Sequence, residues 1–228
     1  PNNFSIEFDE ERAINYEGGF RSSWFDGKLN VNGSGFATFY KDLQTFTNVP
    51  TMTMPISIID NAAKARSIGT EISIQARPVD GLFLGADYGL ALTRFVEFTD
   101  SLVGDITGER LPNAPVHSFS LIGEYAHPIL QNRADAFLRG EYSYTSDFFN
   151  GVGDSLVAGE DFGNRHIVNL RAGFRADRVE VEAFVENLFD EVYQTGETSG
   201  IAASTLNEPR QGEVGPTRRF GIRARVLF

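Results

Sequence analysis

The sequence has no cysteine in its 228 residues, which excludes disulfide bonds, zinc–thiolate centres and catalysis by a thiol. Basic residues are also few: 20 Lys and Arg stand against 31 Asp and Glu, and the net charge is −11. A phosphate backbone is bound by basic surfaces that displace its counterions, and this sequence supplies no such excess. We therefore expect no nucleic-acid partner.

Long apolar runs are missing as well. A transmembrane helix needs ~18 uncharged apolar residues, whereas the longest uncharged stretch, Leu43–Ile59, is rich in Thr and interrupted by Pro50 and Pro55. The chain opens at Pro1 without a Met or a signal-like segment. We therefore expect a mature or excised piece of a protein.

Aromatic residues, in contrast, are abundant. The chain has 20 Phe, 7 Tyr and 1 Trp, or 12% aromatics, although its average composition is slightly polar. A soluble core rarely needs so many rings in so polar a chain. A β-sheet with one face in lipid and the other in water does need them, because rings line its membrane interfaces.

Apolar side chains recur at every second position through most of the sequence. In one example, Ile68, Ile72 and Ile74 alternate with Glu71 and Gln75. Successive side chains of a strand point to opposite faces, so each such run predicts a two-faced β-strand. We count nine strands and no helix. The runs cover residues 14–24, 29–39, 67–77, 82–93, 117–125, 134–144, 168–174, 179–190 and 216–228.

Short and long connections alternate along the chain. The short links are at 25–27, 78–81, 127–132 and 176–178. The long polar segments are at roughly 47–63, 97–113, 147–163 and 191–215. All short turns are therefore expected at one end of an antiparallel meander, and all long loops at the other end.

Several predicted strands exceed the ~5–6 residues usual in soluble proteins and the ~9–11 that a tilted strand needs to cross hydrocarbon. Long strands, one-ended loops and abundant rings favour the wall of an outer-membrane β-barrel. The alternative is a soluble β-sandwich with one buried face per sheet, which alternation alone fits equally well. Bacterial barrels close with even strand numbers, so nine strands indicate either a further strand, such as Phe4–Phe8, or a fragment.

Parity assigns each strand residue to one face of the predicted sheet. The residues expected to point outward to lipid are Leu82, Leu84, Leu121, Val168, Leu170, Val181, Ile222 and Val226. Those expected to point to the lumen are Glu71, Gln75, Asp87, Glu124, Arg139, Glu182 and Arg223. If the last two strands pair, a ladder of cross-strand ion pairs is predicted on the lumenal face. Its members are Glu180, Glu182 and Glu186 with Arg219, Arg223 and Arg225.

The residues that support catalysis are sparse. His117, His127 and His166 lie on different strands or turns, without a Ser or carboxylate at a diagnostic spacing. Parity places His117 on the lipid face near a strand start, where an interfacial ring is expected. His127 is expected in a short turn and His166 near a loop base. We therefore expect no enzyme activity.

Two motifs near the C-terminus are more specific. The first is Asn187-Leu188-Phe189-Asp190 followed by Tyr193, and the second runs from Pro216 through Phe220-Gly221 to Phe228. Together they resemble the C-terminus of TonB-dependent receptors, the active-uptake barrels of the Gram-negative outer membrane. Weaker likenesses lie upstream in the family's order, at residues 15–22, 33–42 and 67–72.

The resemblance implies an all-β fold, an antiparallel up-and-down meander of about nine to ten long strands. Residues 1–228 would form the C-terminal part of a transmembrane β-barrel of about 22 strands, without the plug domain and the first strands. The implied location is the Gram-negative outer membrane. The implied partners are its lipid, the receptor's own plug domain, the TonB complex and a small-molecule or metal-chelate substrate.

The implied function is energised uptake of a scarce nutrient, such as a ferric siderophore, without a cofactor. A porin-like barrel for passive diffusion and a soluble β-sheet binding module are the alternatives. The resemblance also implies that the last strand is the outer-membrane assembly signal, through Phe220, Ile222, Val226 and Phe228. Its ring at Phe228 is expected at the periplasmic rim toward lipid, and one edge of strand 216–228 is expected to be unpaired.

The first motif is expected to be a turn without ligand contact, where the strand gives way to a loop. Asn187 and Asp190 can hydrogen-bond the local backbone there, and Leu188 and Phe189 can pack at the rim.

The loops supply the candidate substrate contacts. These residues are Phe148, Phe149, Asn150, Tyr193 and Gln194. Ring faces and amide donors suit sugars, aromatic siderophores or their ferric complexes, although rim aromatics are also normal members of a membrane girdle. No His/Asp/Glu spacing indicates a metal site, so any iron is expected to arrive inside its chelator.

Overall fold

A computed structural model describes residues 8–49, 56–100, 104–149, 161–197 and 212–226. Within these ranges the secondary structure consists of β-strands and turns, without a helix. Accordingly, the described part of the chain offers no helix long and apolar enough to cross a membrane.

Nine long strands make up the main sheet. They are β1 (Arg12–Trp24), β2 (Leu29–Val49), β3 (Ile56–Ala76), β4 (Leu82–Asp100), β6 (His117–Ile129), β7 (Ala134–Thr145), β10 (Arg165–Ala176), β11 (Val179–Glu186) and β14 (Arg219–Val226). The short strands are β5 (Gly104–Asp105), β8 (Phe148–Phe149), β9 (Asp161–Phe162), β12 (Gln194–Glu197) and β13 (Gly212–Val214).

The long strands pair in chain order, and every pair is antiparallel. This confirms the predicted meander, and it contradicts the two-sheet sandwich because all nine strands belong to one sheet. β5 extends β4, while β8–β9 and β12–β13 form two small hairpins. In the described part, β1 and β14 have one partner each, as expected for the edge of β14. The suggested strand at Phe4–Phe8 lies outside the described residues except for Phe8, which is not in a strand.

The predicted short turns are confirmed, with one correction. The first is a tight turn in which Phe25, Asp26 and Gly27 all have positive φ, and Lys28 N donates to Phe25 O at 3.1 Å. The third is shorter than predicted, because β6 continues through His127 to Ile129 and the turn occupies residues 130–133. Pro128 is tolerated there because β4 starts at Leu82, opposite Tyr125, and leaves that side of β6 without a partner strand.

The predicted loops at 47–63 and 97–113 are partly wrong. β2 and β3 continue to Val49 and Ile56, which are paired with each other, and β4 continues to Asp100. Pro50, Pro55 and the Asn and Asp residues near them indicated a loop in this part of the sequence. Backbone pairing nevertheless continues on both strands up to Val49 and Ile56, the residues next to the two prolines.

Direct cross-strand partners share a face, and the register therefore tests the parity assignment. Leu121 is opposite Tyr142, which is opposite Val168, whereas Glu124 is opposite Arg139. All residues predicted to face lipid lie on one face, here called the apolar face. All those predicted to face the lumen lie on the other, the polar face. The assignment is confirmed. The apolar face is uncovered by protein in the described residues, and Ile222, for example, is 78% exposed.

We call the end of the sheet with the short turns the turn end and the opposite end the loop end. Near the loop end, residues 104–111 fold back along β4, where Ile106 N donates to Phe98 O and Phe95 N donates to Glu109 O. Hydrogen bonds from the side chain and backbone N–H of Thr107 lower the pKa of the Asp105 carboxyl in this segment. The fold-back buries a small cluster made of Ala63, Ala65, Phe95, Phe98 and Ile106.

The terminal strand carries three of the four residues expected in the assembly signal. Phe220, Ile222 and Val226 lie on the apolar face, opposite Val185, Ala183 and Val179 of β11. All three side chains are exposed. Phe228 lies outside the described residues. The placement suits contact with lipid or with assembly machinery, and the assembly role stays a prediction.

Candidate functional site

At the loop end of the polar face, a cation lies between aromatic rings. Arg165 is the first residue of β10, and its partner Thr145 fixes it on the polar face. Its guanidinium carbon is 5.9 Å from the centroid of the Phe148 ring and 5.6 Å from that of Tyr193. Both distances lie within the range of cation–π attraction. We call Arg165, Phe148 and Tyr193 the rim site.

The β8–β9 hairpin positions the Phe148 ring. Phe148 is paired with Phe162 across the hairpin, and their ring centroids are 5.1 Å apart. Phe149, the other residue of β8, is only 8% exposed and so contributes to the base of the hairpin. A substrate contact at Phe149 stays a prediction. Arg110 lies over the Phe149 ring at 5.4 Å and forms a 3.0 Å ion pair with Asp147.

The Asn187 turn positions the Tyr193 ring. Asn187 is 4% exposed, its Nδ2 donates to Glu191 O at 2.9 Å and to Pro216 O at 3.1 Å, and its Oδ1 accepts from Glu191 N. Glu191 Oε1 in turn accepts from the backbone N of His166 at 2.8 Å, beside Arg165. The turn therefore ties the segment that carries Tyr193 to the start of β10.

The predicted turn role of the first motif is confirmed in its hydrogen bonding. Asp190 Oδ1 accepts a hydrogen bond from Arg218 N at 2.7 Å, so the motif also fixes the backbone directly before β14. Both Asn187 and Asp190 have positive φ, which these two residue types tolerate better than most. The expected packing of Phe189 is wrong: it is 72% exposed.

The remaining residues suggested as substrate contacts are Gln194 and Asn150. Gln194 begins the β12–β13 hairpin opposite Val214, one residue after Tyr193. Gly215, next to that hairpin, donates its N–H to Tyr193 O at 2.8 Å. A Cβ atom at Gly215 would lie 2.1 Å from Tyr193 Cζ, so only glycine allows this approach of backbone to ring. Asn150 lies outside the described residues.

Two of the three histidines are hydrogen-bonded to tyrosines. His117 Nδ1 and Tyr88 Oη are 2.9 Å apart, as are His166 Nδ1 and Tyr142 Oη. Both pairs lie on the apolar face toward the loop end, which fits the interfacial position predicted for His117. In the described ranges, moreover, no group of three or more His, Asp or Glu side chains could hold a metal ion.

The predicted ionic ladder is present on the polar face. Nitrogen–oxygen distances are 2.7 Å for Arg219–Glu186, 2.7 Å for Arg223–Glu182 and 3.9 Å for Arg225–Glu180. Each pair joins residues directly opposite each other on β11 and β14, so parity and register together account for it.

Two arginines of this region were not singled out from the sequence, Arg165 and Arg110. Arg165 has the polar parity of β10 and directly follows a long loop, and these signals mark it as a cation at the sheet rim. Nothing comparable marks Arg110, because it lies within the segment that folds back along β4.

Comparison with known proteins supports the fold. Residues 2–188 match the family described as TonB dependent receptor-like, beta-barrel. The ferric yersiniabactin uptake receptor FyuA from Yersinia pestis superposes with a TM-score of 0.74 at 21% identity, covering 96% of this chain and 30% of that one. For the ferric-catecholate import receptor Fiu from K12 E. coli the values are 0.70 and 17%, with 97% and 28% covered.

The copper transporter OprC gives a TM-score of 0.72 at 17% identity and covers 100% of this chain and 33% of its own. At such identities these structures show the shared fold. The chain spans about a third or less of the length of each of them. Since the family match extends over most of its sequence, the chain belongs to the TonB-dependent receptor-like β-barrel family.

Proposed function

We propose that this chain forms part of the barrel wall of a Gram-negative outer-membrane receptor. The receptor takes up a scarce nutrient, such as a ferric siderophore or another metal chelate, with energy delivered through TonB. The observation that carries the proposal is the family match, together with the single nine-strand sheet that has one apolar and one polar face. Two of the similar structures are named as uptake or import receptors for iron chelates, and the third is named as a copper transporter.

The apolar face contacts lipid in this proposal. Its exposed side chains include Leu84, Leu121, Leu138 and Ile222, all on the same side of one sheet. Each large apolar side chain removed from water contributes about 1.5–3 kcal/mol. An uncovered face of this kind is unfavourable in water and favourable in a bilayer.

The polar face lines the lumen. A trough of about 890 Å³ crosses it from β1 to β7. Small or hydrogen-bonding side chains line most of its floor, among them Asn32, Ser73, Asp87, Ser118, Ser120 and Ser143. Such a floor leaves room for water or for a folded segment inside the closed barrel.

The rim site binds the substrate, and the loop end faces the cell exterior. Arg165 has no carboxylate partner among the described residues, so its charge is available to an anionic ligand. The Phe148 and Tyr193 rings add flat apolar surface beside that charge. An anionic chelate that carries aromatic groups matches both features.

Growth under iron limitation tests this function. The full-length receptor is expressed in a Gram-negative strain that lacks its own receptors for the siderophores in a test panel. We expect the receptor to restore growth with at least one ferric siderophore of anionic, aromatic chemistry. Failure with every siderophore, copper chelate and oligosaccharide in the panel would overturn the proposal.

A further inference from the structure

Arg171 lies in the middle of β10 on the polar face, directly opposite Arg139 of β7 and Phe184 of β11. Two like charges directly opposite each other in a sheet destabilise it unless something neutralises them. Arg171 is six residues from Arg165 along the strand, or roughly 20 Å. It therefore belongs to a location separate from the rim site.

The other arginines around Arg171 all have carboxylate partners. Arg139 contacts Glu141 at 2.6 Å and Glu124 at 3.3 Å, and Arg175 contacts Glu124 at 2.7 Å. Arg223 and Arg225 belong to the ionic ladder. Arg171 alone among these five has no ion pair within the described residues, and its Nε is buried there without a hydrogen-bond partner. A buried donor left without an acceptor is costly.

A small cavity lies over this arginine group. Its volume is about 130 Å³, and five of its lining residues are arginines whereas two are glutamates. The lining residues are Phe137, Arg139, Arg171, Arg175, Glu180, Glu182, Arg223 and Arg225. The cavity has room for a carboxylate or phosphate group but not for a whole metal chelate. Guanidinium groups bind both oxyanions through paired N–H donors.

We propose that Arg171, with Arg139 opposite it, binds one carboxylate group on the lumenal wall. The carboxylate belongs to an acidic side chain of the segment that fills the lumen of the full receptor. It accepts hydrogen bonds from Arg171 and supplies the counter-charge that Arg171, unlike Arg139, lacks within the described residues. The source of the carboxylate rests on the proposed function, whereas the oxyanion site itself rests on the arginine geometry alone.

The sign of a melting-temperature change tests the site. Full-length wild-type receptor and its Arg171→Gln variant are unfolded thermally in detergent. If Arg171 binds an oxyanion, the variant melts lower, by about 2–4 °C or more. If nothing binds there, the variant loses only repulsion and melts at the same or a higher temperature, which would overturn the proposal. Arg171→Lys keeps the positive charge but loses the paired N–H donors of the guanidinium, and it is also expected to melt at a lower temperature. This variant replaces Arg171→Gln in the test if Arg171→Gln does not fold.

Arg66→Gln is the matched control. Arg66 is also directly opposite an arginine, Arg94, but it is exposed on the apolar face and away from the cavity. Its loss is expected to leave the melting temperature unchanged or slightly raised. A fall equal to that of Arg171→Gln would show a general effect of removing arginine and would overturn the proposal.

Added inorganic phosphate distinguishes the two sources of the oxyanion. At constant ionic strength, a lumenal carboxylate predicts that phosphate leaves the melting temperatures of wild type and Arg171→Gln equally unaffected. If phosphate raises the melting temperature of wild type and Arg66→Gln but not of Arg171→Gln, the oxyanion comes from solution and the lumenal source is refuted. Neither readout uses transport, so failure here is distinguishable from failure of the uptake proposal.

Discussion

Glu182 of β11 and Arg223 of β14 lie directly opposite each other, and their side chains form a 2.7 Å ion pair on the polar face. The Glu182 side chain is 8% exposed and that of Arg223 is 51% exposed. The pair joins the last described strand to the rest of the sheet. Removing one partner of such a mostly buried pair costs more than breaking a surface pair, because the other charge loses its counter-charge.

Replacing Glu182 with Gln is expected to lower the free energy of unfolding by about 1–2 kcal/mol, because Arg223 loses its charged acceptor. Glu186→Gln is the control: its partner Arg219 is 63% exposed, so the loss stays below about 1 kcal/mol. Both variants are made in the full-length receptor. Their free energies of unfolding are measured by denaturant unfolding in detergent, followed by tryptophan fluorescence, to which Trp24 contributes. Equal losses would show that burial of Glu182 does not matter.

The two faces of β6 predict opposite tolerance for charge. Leu121 is on the apolar face and Ser120, the adjacent residue, is on the polar face opposite Asp87. Leu121→Arg is expected to reduce the folded receptor in outer-membrane fractions, at a cost of about 2–4 kcal/mol near the bilayer centre. Ser120→Arg at the same depth gains a carboxylate neighbour and is expected to be tolerated. Equal recovery of the two variants would contradict lipid contact of the apolar face.

These faces were predictable from sequence because one side of each strand is apolar and a slip of one residue would reverse every side chain. The Glu182–Arg223 pair followed from the same parity. The extension of β2 and β3 to Val49 and Ile56 was not predictable, because Pro50 and Pro55 indicated a loop there, whereas backbone pairing continues up to the residues next to them. The rim site was hidden for another reason. It depends on Phe148 and Tyr193, which are distant in sequence and brought together by two small hairpins.

Phe148 and Phe149 show why the burial of a single ring in a loop could not be predicted from the sequence. They are neighbours in a two-residue strand, so they point in opposite directions. The pattern is too short to show which ring is buried. Only the pairing of Phe148 with Phe162 and the contact of Arg110 with Phe149 decide it.

Arg165→Gln is expected to weaken ligand binding by the full-length receptor at least about tenfold, since one charge-assisted contact contributes about 1.5–3 kcal/mol. The dissociation constant is measured by quenching of intrinsic fluorescence with the siderophore identified in the growth panel. Arg66→Gln, which removes an arginine far from the lumen, is expected to keep the wild-type affinity. Unchanged affinity in Arg165→Gln would remove Arg165 from the binding site.

Gly215→Ala tests the position of the Tyr193 ring. The added Cβ overlaps the ring, so the ring must move away from Arg165. We expect weaker ligand binding with little change in stability. Gly163→Ala is the matched control, because a Cβ there meets no atom within 4 Å. Wild-type affinity in Gly215→Ala would show that the Tyr193 ring is not needed.

The most direct test of energised uptake is the initial rate at which cells expressing the full-length receptor accumulate radioactive iron from its siderophore. The rate is compared in otherwise identical cells with and without functional TonB. Our account predicts saturable uptake that falls to the background of receptor-free cells when TonB is absent. Uptake that continues without TonB and rises in proportion to siderophore concentration would contradict it and indicate a passive, porin-like barrel.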